Sequence, residues 1–437
     1  MGNFVIKLTN GDVFRATSGL PGVWGFALRL GMADMTSPRE IAQDVLTRCV
    51  DGNPPAELPQ NLLEDPDGQA LFGTLIEGLA DRFEPALCDL YVRLMAKPVA
   101  DAVGGVDAGA LVERYQRVRQ VRPVASEPEQ VYVLSRVTLG ADVAITSVLL
   151  DAVRRRFRRA RIALVGPRKN FELFAGDPRV RHVPLNYRRG SLRERLAVYS
   201  ELKELMAAPG SILIDPDSRL TQLGLLPVCP EERYYFFESR AYGGDSHRTL
   251  MELAASWAGE TLGVNGARPL LALNTQALPI SPSLPYITAS FGVGENPAKR
   301  MADPFEEQLL ALLARCGLPL FVDRGAGGEE AERVRRAAER SGAQLRFWDG
   351  SFAGFAGLIA GARLYVGYDS AGQHAAAACG IPLVSIFTGF PVPRMLERWK
   401  PAGDLSRVIR VDSPNPDVAE VLSLVQAAIQ GLGLMVS

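Results

Sequence analysis

The sequence lacks an excess of either charge, a paired-cysteine motif and a long apolar run. Its 437 residues include 48 basic and 49 acidic side chains, so no overall field favours nucleic acid as a partner. The five cysteines lack CxxC spacing, which argues against zinc ligation and a disulfide framework. No apolar run approaches the ~20 residues of a membrane span, and the first residues lack the apolar core of a signal peptide. These absences predict a soluble, cytoplasmic protein with reduced thiols.

Two common nucleotide-binding motifs are also missing. The sequence has two Gly-rich loops, SFGVGENPAKR and DRGAGGEE, and neither is a Walker sequence. No GxGxxG directly follows a predicted strand. His182 and His247 have no acidic or cysteine partners at ligand spacing, so we predict no metal site. ATPase and dehydrogenase activities therefore have no support from motifs.

The length and the patterning predict several domains. Residues 1–122 are mostly helical in pattern, with a β-hairpin around Asn10 and Gly11, and we link no residue there to chemistry. Residues 123–264 and 286–437 each alternate strands with helices, which is typical of parallel sheets with right-handed crossovers. A Pro-rich linker is predicted at 265–285. The predicted fold class is α/β, with two doubly wound Rossmann-like domains preceded by a mostly helical N-terminal domain with a β-hairpin.

A strand-to-helix turn within GYDSAGQHAAAACG, residues 367–380, has the strongest functional pattern. Asp369 and Ser370 fall on the turn, and His374 lies on the small-residue helix that follows. Free N–H groups at a helix N-terminus favour a phosphate or another anion. A structural alternative stays open, in which Ser370 is only an N-cap and His374 a satisfied buried histidine.

Two other loops are predicted to face the same cleft, because ligands of open α/β sheets lie beyond the carboxyl ends of the strands. Asp142 follows the first strand of its domain and could accept a proton from an attacking hydroxyl, although an ordinary N-cap is the simpler interpretation. Lys299 and Arg300 end the Gly-rich turn SFGVGENPAKR and could hold a diphosphate. A solvated basic pair is the alternative.

Six arginines lie between Arg154 and Arg161, at the end of a predicted amphipathic helix. Such a cluster could contact anionic lipid head groups or an acidic acceptor. Cationic residues also favour the C-terminus of any helix, so a solvated cluster is the simpler interpretation.

The segment GLIAGARLYVGYDSAGQHAAAACGIPLVSIF resembles the signature of glycosyltransferase family 9, the ADP-heptose:lipopolysaccharide heptosyltransferases. Asp369, Ser370, His374 and Pro382 stand in the register of that signature. SFGVGENPAKR is similar to the family's Gly-rich loop, and VLSRVTLGADVAITSVLLDAVRRRF is similar to its first strand, GD turn and first long helix. The resemblance extends over about residues 130–435 and leaves the first 120 residues unmatched.

Three departures from the family pattern stand out. Ala371 replaces the usual glycine after D-[ST], and Gly372 follows one position later. Ala141 replaces the glycine before Asp142. TGFPVPR stands where the family has GPT, so the resemblance does not carry the identity of the donor to this chain.

The resemblance implies a GT-B glycosyltransferase that inverts the anomeric centre without a metal or another cofactor. Its donor would be a nucleotide-diphosphate sugar such as ADP-heptose, and its acceptor a glycan, lipopolysaccharide or protein hydroxyl. A homo-oligomer and a peripheral contact with the inner membrane through Arg154–Arg161 are further options. The implied general base is Asp142, and the implied donor-binding residues are Lys299, Arg300, Asp369, Ser370, Ala371, Gly372 and His374.

Two other functions remain open from the sequence. The chain could be a non-catalytic nucleotide-sugar-binding or assembly protein that retains the GT-B fold. It could also be a sugar-nucleotide epimerase, which would need no acceptor. Substitution of Asp142 by alanine distinguishes a binding protein from a transferase. In a transferase it would abolish turnover and leave nucleotide binding nearly intact.

Overall fold

The computed structural model describes residues 4–7, 13–16, 37–274, 285–294, 296–413 and 415–434. Within it, β1 (Phe4–Lys7) pairs antiparallel with β2 (Val13–Ala16), as the predicted hairpin requires. The predicted hairpin turn at Asn10 and Gly11 and most of the predicted linker, 275–284, lie outside the described residues. The domain boundaries stay predictions.

The N-terminal region is helical after the hairpin, as predicted. The first helix among the described residues begins with a capping box, in which Ser37 Oγ accepts from the Glu40 N–H and the Glu40 carboxylate accepts from the Ser37 N–H. The helices are α1 (Pro38–Val50), α2 (Gln60–Leu63), a π-helical segment over Gln69–Ile76 that continues as α3 (Glu77–Ala80), α4 (Pro85–Val103) and α5 (Ala108–Val118).

The middle of the chain forms a five-stranded parallel sheet in the order β5-β4-β3-β6-β7. The central strands are almost fully buried, because helices cover both faces of a parallel sheet. The strands are β3 (Gln130–Leu134), β4 (Arg161–Gly166), β5 (Val180–Pro184), β6 (Ser211–Asp215) and β7 (Tyr234–Phe236). The helices are α6 (Leu139–Ala141), which continues through a π-helical segment over Asp142–Thr146 into α7 (Ser147–Arg156), α8 (Arg168–Phe171), α9 (Leu192–Leu196), α10 (Tyr199–Leu205) and α11 (Leu250–Leu262).

The C-terminal part forms a six-stranded parallel sheet in the order β10-β9-β8-β11-β12-β13. The strands are β8 (Ile287–Ser290), β9 (Leu320–Asp323), β10 (Leu345–Trp348), β11 (Leu364–Tyr368), β12 (Leu383–Phe387) and β13 (Ser406–Arg410). The helices are α12 (Phe305–Ala314), α13 (Gly328–Ser341), α14 (Phe352–Ala360), α15 (Ala371–Ala378), α16 (Pro393–Trp399) and α17 (Val418–Gly431).

The predicted fold class is confirmed by these two parallel sheets and the helical region that precedes them. The helical region packs on the five-stranded sheet through a shared apolar core. Buried polar contacts fix the same interface, since the Tyr91 hydroxyl donates to the Gln222 carbonyl at 2.7 Å and Arg114 donates to the Gly224 carbonyl at 2.9 Å. Within the described residues no helix is both long enough and apolar enough to cross a bilayer.

Candidate functional site

The turn between β11 and α15 forms one corner of the candidate site. Ser370 is the N-cap residue of α15, yet its side chain makes no capping hydrogen bond. Its Oγ atom is buried close to the Tyr365 hydroxyl, and neither oxygen has a partner with normal hydrogen-bond geometry in the described part of the chain. The Ser370 side chain therefore does not cap the helix, and its role in binding a ligand stays a prediction. The free N–H groups of the first turn of α15 lie at the same turn, and a helix N-terminus favours an anion.

Asp369 organises the corner through both of its carboxylate oxygens. Lys299 Nζ lies 2.5 Å from Asp369 Oδ2, and Gln373 Nε2 donates to Asp369 Oδ1. Burial opposes the charge on Lys299, but Asp369 outweighs it and raises the pKa of the lysine. Ser385 in turn donates to Gln373 Oε1. The structure thus joins Lys299 to Asp369 and holds a charged ammonium at the corner.

Arg300 does not join Lys299 there. Its Nε atom lies 3.1 Å from Glu306 Oε1, and its guanidinium also pairs with Asp303. Glu306 binds Arg333 as well. The two side chains therefore bind different carboxylates here, and the donor-binding role of Arg300 stays a prediction. Lys299 is the last residue of a short 3-10 helix (Pro297–Lys299), whereas Arg300 after it has an extended backbone (φ −106°, ψ 141°), so the two side chains leave the chain in different directions.

The remaining predicted residues of the corner are closely packed. His374 is 4% exposed, and burial lowers its pKa to about 4, so its ring is neutral at pH 7. A Cβ atom on Gly372 would lie 2.2 Å from the Tyr365 hydroxyl, so packing requires glycine at that position. A Cβ atom on Gly140 would lie 3.4 Å from Ala371 Cα. The loop before Asp142 therefore contacts the corner directly.

Asp142 lies on the wall that faces the corner, because the helical segment over Leu139–Thr146 packs against α15. It is not an N-cap, since Thr138 takes that position and Asp142 lies one turn inside the helix. Its carboxylate is fully buried. It accepts hydrogen bonds from Ser135 Oγ, the Arg136 N–H, Thr146 Oγ1 and Asn170 Nδ2, at 2.6 to 2.7 Å.

These four donors occupy the acceptor sites of the Asp142 carboxylate. Burial raises the pKa of Asp142, while the donors act in the opposite direction. In this conformation the carboxylate has no open position for the proton of a substrate hydroxyl. The proposed base role stays a prediction, and the geometry gives Asp142 a role in holding the loop after β3.

The N-terminal helices bring two further carboxylates to the same cleft. Glu77 pairs with Arg219, which also donates to Thr138 Oγ1 at 2.9 Å. Asp81 directly follows α3 and is half-buried. Burial raises its pKa to about 7, and the charge of Lys299 acts in the opposite direction. The sequence around Asp81 contains no recognisable motif. The position of this residue in the fold depends on packing between distant parts of the chain.

The arginine cluster Arg154–Arg161 is partly neutralised within the chain. Arg154 pairs with Asp177 at 2.6 Å, Arg155 with Asp151 at 3.3 Å and Arg156 with Glu127. Among the described residues, no group of three or more His, Cys, Asp or Glu side chains could hold a metal ion. The predicted membrane contact and metal independence remain predictions.

Comparisons with known proteins agree with the resemblance found in the sequence. Residues 303–425 match the family model described as glycosyltransferase family 9 (heptosyltransferase). No curated protein matches significantly. The resemblance to this family is confirmed by the family model together with the fold.

Solved structures of heptosyltransferases are similar in fold. Escherichia coli heptosyltransferase WaaC with ADP is 16% identical, with a TM-score of 0.52 over 68% of this chain and 99% of that one. A glycosyltransferase family 9 protein from Veillonella parvula is 16% identical, with a TM-score of 0.53 over 70% and 98%. E. coli ADP-heptose lps heptosyltransferase II is 19% identical, with a TM-score of 0.50 over 69% and 99%. About three tenths of this chain lies outside each match.

Proposed function

We propose that this chain, a glycosyltransferase with a family 9 domain on a GT-B fold, transfers a heptose or a similar sugar. The donor is a nucleotide-diphosphate sugar, and the acceptor is a hydroxyl of a glycan, a lipopolysaccharide or a protein. Transfer inverts the anomeric carbon and needs no metal. The observation that supports this most strongly is the largely buried Lys299–Asp369 pair, which lies next to Ser370 at the N-terminus of α15.

The corner has the groups that a leaving diphosphate needs. Lys299 supplies a positive charge, Ser370 a hydroxyl donor, and α15 the free N–H groups of its first turn. Fixed donors of this kind stabilise charge that develops on the leaving group, by about 3 kcal/mol for one strong donor. Asp369 holds the lysine in position before the donor binds, which reduces the reorganisation required during the reaction.

The comparisons suggest which donor to test first. The WaaC structure contains ADP-2-deoxy-2-fluoro heptose, so an ADP-linked heptose is a suitable first probe for this chain. The loops after β8 and β11 begin at the carboxyl ends of two adjacent parallel strands. Ligands of open α/β sheets bind at this edge of the sheet. We keep the cytoplasmic location predicted from the sequence as part of the proposal.

One observation favours a second function. The Asp142 carboxylate is fully occupied by four intrachain donors, as expected if the loop has become structural. A protein that binds a nucleotide sugar without transferring it would retain the corner and lose the base. Binding is common to both functions, and turnover separates them.

The experiment is a thermal-shift panel of ADP-, GDP-, UDP- and dTDP-sugars, followed by a nucleoside diphosphate release assay with the sugar that binds. A ligand that binds only the native state raises the melting temperature. We expect one nucleotide class to raise it and its sugar to be turned over. Binding without release under any acceptor supports the second function. No shift with any member of the panel contradicts both.

A further inference from the structure

We propose that Gln373 is a positioning residue, which fixes the Lys299–Asp369 pair in the orientation that the donor diphosphate needs. Gln373 lies on α15 and its side chain is fully buried. It therefore acts through Asp369 and not by contact with a ligand. The inference rests on the proposed function and deepens it, because it names the group that holds the cation of the donor site in place.

The Gln373 amide has one partner at each end. Its Nε2 atom donates to Asp369 Oδ1 and its Oε1 atom accepts from Ser385 Oγ, both at 2.5 Å. A carboxylate only accepts hydrogen bonds, so the NH₂ end of the amide has to face Asp369 and the carbonyl end is left for Ser385. Ser385 lies within β12, between β11 and β13, so the amide is anchored in the sheet.

The other side of the amide also faces protein atoms. Gln373 Nε2 lies 3.4 Å from His374 Nε2 and 3.5 Å from the Trp399 carbonyl oxygen. Both contacts are weak at these distances, but they show that protein surrounds the amide on this side as well. Since the contacts of Gln373 in the described part of the chain are all with protein groups, its role is to position its neighbours.

Gln373 determines how Asp369 meets Lys299. With Oδ1 bound to the amide, Oδ2 is the oxygen that pairs with Lys299 Nζ at 2.5 Å. The Asp369 side chain is 5% exposed, so loss of the amide would leave a largely buried oxygen without its donor. A donor to the carboxylate also favours its ionised form, and this charge is what raises the pKa of Lys299 against burial.

Lys299 needs this support because an ammonium group at the end of a flexible stem does not hold its own position. Its contact with Asp369 uses one of three N–H donors, so two remain for diphosphate oxygens. A turn of the Asp369 carboxylate would move the ammonium relative to the N-terminus of α15. The chain of hydrogen bonds from Ser385 through Gln373 to Asp369 opposes that turn.

The first test is calorimetric titration of ADP into the full-length Gln373→Met protein at pH 7.5. Methionine is a flexible side chain that fills buried space, and it lacks both polar ends of the amide. The Kd should rise about 10-fold, because Asp369 loses a hydrogen bond to its charge. Gln222→Met is the matched control, since Gln222 is also buried and its amide donates to the Arg219 carbonyl at 3.2 Å. Its Kd should equal that of the wild type.

The second test, Gln373→Glu, has a readout that a purely structural role would not change. A protonated carboxyl group replaces the amide closely, because its O–H donates to Asp369 and its carbonyl oxygen accepts from Ser385. An ionised one places a second negative charge against Asp369. Burial and that charge raise the pKa of the new carboxyl group above about 4.3, so its protonated form is lost as the pH rises. The ratio of the variant Kd to the wild-type Kd should stay within about 2-fold at pH 5.5 and reach about 10-fold by pH 8.5.

A third measurement needs no ligand. Lys299 is charged and held by Asp369, so acetic anhydride should acetylate it slowly in the wild type. Gln373→Met should raise this rate at least about 3-fold, because a freed carboxylate stabilises the ammonium less. Mass spectrometry of the Lys299 peptide measures the rate. Lys97, which pairs with Glu57 on the surface, is the control within the same sample and should not change.

The outcomes separate this inference from the function on which it rests. If none of the nucleoside diphosphates binds the wild type, the proposed function fails, and the acetylation of Lys299 then decides the role of Gln373. An unchanged acetylation rate in Gln373→Met overturns that role. If ADP binds the wild type and Gln373→Met equally well, only the role of Gln373 is overturned.

Gln373→Glu decides the role if the methionine variant does not fold. Binding of ADP that is as weak at pH 5.5 as at pH 8.5 overturns the positioning role. Binding equal to that of the wild type over the whole range supports it where Gln373→Met binds weakly, because the retained donor then rescues the site.

Discussion

Lys299 Nζ lies 2.5 Å from Asp369 Oδ2 and joins the loop after β8 to the turn after β11. The two strands are neighbours in the parallel sheet, so their carboxyl ends meet at one edge. The lysine side chain is 19% exposed and the carboxylate 5%, so water screens the pair only partly. The pair places a cation beside the N-terminus of α15 before any ligand arrives.

Ser370→Ala should weaken donor binding without weakening the fold. The hydroxyl has no well-formed partner in the described part of the chain, so its removal leaves no intrachain group unsatisfied. One lost ligand hydrogen bond should reduce affinity for the donor roughly 3- to 10-fold. Calorimetric titration with ADP measures the affinity, and urea unfolding measures the stability.

Ser351→Ala is the matched control for Ser370→Ala. The Ser351 hydroxyl caps α14 by accepting from the Gly354 N–H at 3.2 Å. Its loss should cost about 1 kcal/mol of stability and leave ADP affinity unchanged. If Ser370→Ala also destabilises the protein and leaves ADP affinity intact, the hydroxyl has a structural role.

Asp142→Ala should destabilise the folded state by about 2 to 4 kcal/mol, because it leaves several buried donors without an acceptor. The free energy of unfolding in urea measures this loss. Asp151→Ala, which removes a partly exposed carboxylate paired with Arg155, should cost less than about 1 kcal/mol. An Asp142→Ala protein of unchanged stability and no turnover would instead favour Asp142 as the base.

Asp81→Asn should make the protein more stable at pH 8. The pKa of Asp81 is raised from 3.8 to about 7 in the folded state, so the folded state holds its proton more tightly than the unfolded state does. The wild type therefore loses stability as the pH rises from about 4 to about 7. At pH 8 the variant avoids this loss and should gain on the order of 1 to 2 kcal/mol for a half-buried group.

Urea unfolding at pH 8 and near pH 4 tests this prediction, and the gain should shrink at the lower pH. Glu77→Gln, which removes the ion pair with Arg219, should not stabilise the protein at pH 8. Equal stability of Asp81→Asn and the wild type at pH 8 would contradict the raised pKa.

Gly372→Ala should destabilise the corner by about 1 to 3 kcal/mol, because the new Cβ atom would overlap the Tyr365 hydroxyl and ring. Gly431→Ala, at the end of α17, meets no atom within 4 Å and should be neutral or slightly stabilising. Thermal unfolding of both variants measures the difference. A Gly372→Ala protein as stable as the wild type would show that the ring of Tyr365 can move.

The sequence predicted the features that depend on local pattern. Strand and helix periodicity predicted both parallel sheets, and the turn at Asp369 and Ser370 was located because a strand, a turn and a small-residue helix are contiguous there. Gln373 was missed as a functional residue, although it lies in the first turns of α15, only four residues after Asp369.

The directions in which side chains point and the contacts between distant parts of the chain could not be predicted. Lys299 and Arg300 are adjacent, yet their side chains pair with different carboxylates because a short 3-10 helix ends between them. The helix before Asp142 begins at Leu139 with Thr138 as its N-cap residue, so Asp142 is a buried acceptor one turn inside the helix and not an N-cap. Glu77 pairs with Arg219 across more than one hundred residues of sequence, through a helical region without a recognisable motif.

The most direct test of the donor corner is calorimetric titration of ADP into the wild type, Lys299→Ala and Lys97→Ala. Lys97 pairs with Glu57 at 2.7 Å on the exposed surface, so it controls for the loss of a paired lysine. Removing a buried cation from a diphosphate site should raise the Kd of Lys299→Ala at least about 10-fold, with Lys97→Ala unchanged. An equal Kd for all three proteins would contradict the assignment of this corner to the donor diphosphate.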